Sequence, residues 1–137
     1  MKVVLDTNVL VSALLKRDSI PGRILQGVWN GELELLLSAP LQEELDAVLE
    51  YPKLRKRLEG QAVDIRMFLE LLPFFTTSVT LEDVSVPRPR DADDWMVLAT
   101  FVAGQGDWLI TGDADLLELA ERFAIIRPAE FVQRFLA

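Results

Sequence analysis

Four acidic residues stand after strands, near a helix start or beside the apolar stripe of a helix. Asp6 follows the apolar run Met1–Leu5, Glu44 lies beside the stripe Leu41, Leu45 and Val48, Asp94 is near the start of an apolar helix, and Asp113 follows Trp108–Thr111. Taken singly, most have an ordinary use: Asp6 suits a helix N-cap, Asp91 and Asp94 have capping-box-like spacing, and Asp113 and Asp115 flank another helix start. Glu44 differs, because at about 100° per residue it falls on the edge of its helix's apolar stripe while Glu43 points away. Two of the acids directly follow strands and the others begin or line helices that pack on the same sheet, so several can converge at one rim. Converging carboxylates repel strongly at low dielectric unless some are protonated or a cation sits among them. A hard, oxygen-ligated ion such as Mg²⁺ or Mn²⁺ removes that conflict. It also lowers the pKa of bound water, aligns it for in-line attack and neutralises charge growing on a phosphate.

Composition removes the competing chemistries. The chain has no cysteine, which excludes disulfides, thiolate zinc sites and a cysteine nucleophile, and no histidine, which excludes imidazole as base or ligand. With 22 acidic and 14 basic residues the formal charge is −8, which argues against a protein coated in basic surface. A phosphate backbone would have to meet local positive patches, bound cations or a basic partner. Arg88 and Arg90, just before the Asp94 helix, are the best placed to reach a phosphate near the acids. Lys53–Arg57 reads first as a solvated helical face, and Lys16 and Arg17 as complements to a helix dipole. The tryptophans and phenylalanines fall mostly on apolar runs and read as core.

The elements that position these residues follow from periodicity. Strands are expected at Met1–Leu5, Leu33–Leu37, Trp108–Thr111 and Ala124–Ile126, with a weaker one at Phe74–Val79. Helices are expected over Val9–Leu15, from Pro21 to Trp29, from Ser38-Ala39-Pro40 to Tyr51-Pro52, as one or two segments in 53–72, over Asp91–Ala103 and Asp113–Glu121, and from Pro128 or Ala129 onward. Val86–Arg90 reads as an extended connector. Strands apolar on both faces and alternating with helices predict an open α/β sandwich: a parallel sheet of four or five strands with helices on both sides. The 137 residues, half of them apolar, suit one domain spanning 1–137. No apolar run is long enough for a membrane span and no signal pattern opens the chain, so a soluble, cytoplasmic protein is expected.

Val3-Val4-Leu5-Asp6-Thr7-Asn8-Val9-Leu10, Pro40-Leu41-Gln42-Glu43-Glu44-Leu45, Arg90-Asp91-Ala92-Asp93-Asp94 and Leu109-Ile110-Thr111-Gly112-Asp113-Ala114-Asp115-Leu116-Leu117, in this order, resemble the PIN-domain ribonucleases. The likeness is greatest to VapC-like toxins of prokaryotic toxin–antitoxin pairs, and it extends to Ile125–Phe131. The resemblance implies a PIN-like three-layer sandwich and an acidic pocket for Mg²⁺ or Mn²⁺. It further implies hydrolysis of RNA to a 5′-phosphate and a 3′-hydroxyl, a cognate antitoxin and a homodimer. By position, Asp6, Glu44, Asp94 and Asp113 match the four acids that are catalytic and hold metal. Asp93 replaces Asp94 if the helix starts one residue differently, and Asp115 is able to share the task of Asp113. Thr7, Asn8 and Thr111 match small polar positions near the pocket that bind water or phosphate, with Arg88 and Arg90 as further substrate contacts. A different class of function is a PIN scaffold that binds protein or RNA without cutting it. A haloacid dehalogenase-type phosphatase would need a second aspartate where Asn8 stands.

Overall fold

The computed structural model describes residues 1–60, 64–82, 84–87 and 92–137. Five strands, β1 (Lys2–Leu5), β2 (Glu34–Ser38), β3 (Thr76–Val79), β4 (Trp108–Ile110) and β5 (Ile125–Ile126), form one sheet in the order β3-β2-β1-β4-β5. Every pairing is parallel. Among the described residues the α-helices are α1 (Thr7–Leu15), α2 (Ile20–Trp29), α3 (Ala39–Leu49), α4 (Pro52–Gly60), α5 (Ile65–Leu71), α6 (Ala92–Ala103), α7 (Ala114–Leu117) and α8 (Pro128–Phe131), the last continued by a π-helical turn over Val132–Leu136. The expected α/β sandwich is therefore the observed one, with all five strands present.

Side chains alternate across the sheet because the strand period is two. Val3, Leu5, Leu35, Ile110 and Ile126 enter a core shared with α1, α2, Leu45 and Leu49 of α3, Leu58 of α4, Phe68 of α5 and Phe131 of α8. Val4, Leu36, Leu109 and Ile125 enter a second core on the opposite face, under Val97, Leu98 and Phe101 of α6 and Leu116 of α7. Two-sided burial is why these strands read as continuous apolar runs. Among the described residues, no helix is long and apolar enough to cross a membrane.

Several boundaries differ from those expected, most clearly at two turns. Pro73 belongs to a 3₁₀ turn (Leu72–Phe74) that extends α5, so β3 begins only at Thr76. Phe74, expected in the core, is 82% exposed. Helix α7 ends at Leu117 instead of Glu121, and the chain then tightens into i→i−3 bonds such as Ala120 N–H to the Leu117 carbonyl before entering β5. Of the expected connector Val86–Arg90, Arg88 and Arg90 lie outside the described residues, as does Asp91.

Candidate metal centre

From β1 the chain builds outward through β2 to β3, and then returns to place β4 on the other side of β1. The strand order thus reverses between β1 and β4, and the carboxyl ends of such a pair border a ligand crevice. Leu5 pairs with Ile110, and the Asp6 N–H donates to the Ile110 carbonyl at 3.1 Å. Asp6 and the Thr111–Asp113 turn therefore leave the sheet side by side. Asp6 occupies the N-cap position of α1 but makes no side-chain cap bond. Its Oδ2 instead accepts from the Thr111 hydroxyl at 2.7 Å, and that same oxygen of Thr111 accepts from the Asp113 N–H at 3.0 Å. One fully buried hydroxyl thereby joins the ends of two strands.

Burial pushes the Asp6 carboxyl above its ordinary range; the Thr111 hydroxyl and the Asn8 and Thr7 amides pull it down, while the Asp113 charge adds to the rise. A buried carboxylate that is costly to ionise and sits in the field of another is a group that gains from a cation.

Asp113 fulfils its capping expectation, since its Oδ1 accepts from the Leu116 N–H at 3.1 Å. It is also one of three acids, with Asp94 and Asp115, that each offer a carboxylate oxygen within 4.8 Å of the others. Asp94 arrives from the first turn of α6, which crosses β1, β2 and β4, and it is 6% exposed, whereas its neighbour Asp93 faces solvent. In an octahedral site with bonds near 2.1 Å, opposite ligands lie about 4.2 Å apart. The spacing and the all-carboxylate donor set thus fit a hard divalent ion with little adjustment.

Asp6 and Glu44 lie outside that trio. Asp6 reaches it through Thr111 and through the charge of Asp113. Glu44 is joined instead to the residue that follows Asp6, since its Oε2 accepts from the buried hydroxyl of Thr7 at 3.0 Å. Asn8 is exposed at the start of α1, and Arg88 and Arg90 lie outside the described residues. Thr7 and Thr111 spend their hydroxyls on Glu44 and Asp6, which makes them props for the acids.

Sequence reasoning missed a third prop. Ser38, just before α3, and Thr100 of α6 are 2% and 0% exposed, and their hydroxyls meet at 2.7 Å. Thr100 also donates to the Met96 carbonyl, so Ser38 is the donor between them. This bond ties the end of β2, from which the helix carrying Glu44 starts, to the helix that carries Asp94. The available sign was a lone threonine inside the apolar helix α6.

Comparison with known proteins bears on this arrangement. The uncharacterized protein MJ1680 of Methanocaldococcus jannaschii is 30% identical over 146 aligned positions, which cover 98% of this chain and 92% of that protein. The sequence profile of the PIN domain matches residues 2–115, a span that contains β1 through the Asp115 turn and thus every acid of the cluster. The chain belongs to the PIN-domain family, whose members are typically nucleases.

Proposed function

We propose that this protein is a Mg²⁺- or Mn²⁺-dependent endoribonuclease that serves as the toxin of a toxin–antitoxin pair. The observation that carries the nuclease reading is the approach of the Asp94, Asp113 and Asp115 oxygens to within 4.8 Å beside the buried Asp6. Asp94, Asp113 and Asp115 would hold the ion, and Asp6, steadied by Thr111, would complete its negative surroundings. Glu44, held by Thr7, is the acid available to hold metal or to accept a proton from the attacking water. A bound ion supplies water of lowered pKa and offsets charge on the phosphate. Attack by such a water in line with the P–O3′ bond would form the new P–O bond as the P–O3′ bond breaks; the 3′ oxygen would take a proton from solvent, giving a 5′-phosphate and a 3′-hydroxyl.

Purified protein with Mg²⁺ or Mn²⁺ is expected to cut RNA, and Asp94→Asn and Asp6→Asn variants that remain folded are expected to lose at least 100-fold, on the order of one lost transition-state contact. Equal cleavage by those variants rejects the assignment in favour of a non-catalytic scaffold. The toxin role rests on family resemblance alone. Expression of the chain by itself should arrest growth, and co-expression of a small neighbouring antitoxin should relieve the arrest. Harmless expression of active enzyme counts against it.

A further inference from the structure

A polyanion that approaches this molecule meets a net charge of −8 and a pocket built of acids. One ion offsets only part of that field, so attraction over the first nanometre has to come from cations held elsewhere on the surface. Four of the 14 basic residues fall within the five positions 53–57, all of them on α4 and all exposed. Leu54 and the buried Leu58, one turn apart, face the core. At about 100° per residue, Lys53, Lys56 and Arg57 then share one outward side, and Arg55 falls on the opposite flank.

The partners of these cations separate them further. Arg55 is tied to Glu50 at 2.9 Å, as Arg23 is to Glu32, Arg66 to Glu70 and Arg134 to Glu130. Among the described residues, Lys53, Lys56 and Arg57 form no ion pair. Helix α4 packs against α1 and α3, which carry Thr7 and Glu44. Side chains at i, i+3 and i+4 are about 5–6 Å apart at Cβ, comparable to the separation of neighbouring phosphates on a polynucleotide.

We infer that Lys53, Lys56 and Arg57 of α4 form a second binding surface for the phosphodiester backbone of single-stranded RNA, outside the acidic pocket. The inference takes its ligand from the nuclease reading above, but its test does not use cleavage. Binding of a fluorescent RNA is measured without divalent ion across a salt series, for the wild type and for Lys53→Gln/Lys56→Gln/Arg57→Gln. Loss of three phosphate contacts should weaken binding about tenfold at low salt and reduce the log–log salt slope by about 2. The charge-preserving Lys53→Arg/Lys56→Arg/Arg57→Lys variant should bind within about twofold of wild type, and so should Arg66→Gln/Arg122→Gln/Arg134→Gln, which removes the same charge elsewhere. Unchanged binding by the first variant, an equal loss in the last, or equally tight binding of poly-glutamate overturns the inference. RNA bound through α4 but never cut would instead sink only the nuclease reading.

Discussion

Asp6 shows how a residue at a helix start is drawn into a longer-range contact. The first-turn amides of Asn8 and Thr7 still favour its charged form, but it is the Thr111 hydroxyl, 2.7 Å away, that ties its carboxylate to the neighbouring strand end, where it remains 8% exposed. Its raised pKa means that the folded chain takes up this proton more readily than the unfolded chain does. That contribution to stability is full below the ordinary carboxylate range and is lost as pH rises through the folded value. Metal-free Asp6→Asn should therefore melt above the wild type at neutral pH, with the gain shrinking as pH falls toward the ordinary carboxylate range. Thermal unfolding in chelator at several pH values checks this, and a variant less stable at neutral pH contradicts it. The carboxyl was identifiable from the residues before it, but its burial was not, since it depends on a threonine 105 positions away.

At the scale of elements, the α1–α2 corner aims the helix that begins at Asp6. Ser19 caps α2 by accepting from the Gly22 N–H at 3.1 Å, and a Cβ at Gly22 would lie 2.0 Å from the Arg17 carbonyl oxygen and 2.6 Å from its carbon. Backbone cannot yield as a side-chain tip can, so Gly22→Ala should destabilise the chain by about 3 kcal/mol. Urea unfolding measures it, and a loss below about 1 kcal/mol would show that the corner can shift. The sequence marked this corner with Pro21-Gly22 but gave no hint of how close the backbone comes. Boundaries were legible where apolar runs were long, as in β1, β2 and α6. They were misplaced where a few residues had to turn the chain, as at Pro73 and after Leu117.

For the molecule as a whole, a cation among the acids is linked to folding. At a Mn²⁺ concentration 100 times its Kd, mass action adds about 2.7 kcal/mol, which corresponds to a Tm rise of roughly 10 °C for a chain of this size. The same titration of Asp94→Asn should give a much smaller rise. Equal shifts in both proteins would place the ion elsewhere.

Residue types and their periodicity determined the α/β alternation, the two-faced burial of the strands, the exclusion of imidazole and thiolate chemistry, and the acids at strand ends and helix starts. These are local properties, fixed by which face of a short element a side chain must occupy. The tertiary structure alone decided that β4 pairs with β1, that Asp94 is buried while Asp93 is exposed, that Asp115 joins Asp113, and that Thr111 and the Ser38–Thr100 pair brace the carriers. Those outcomes depend on which strands become neighbours, and contacts between residues a hundred positions apart leave no periodicity in the chain.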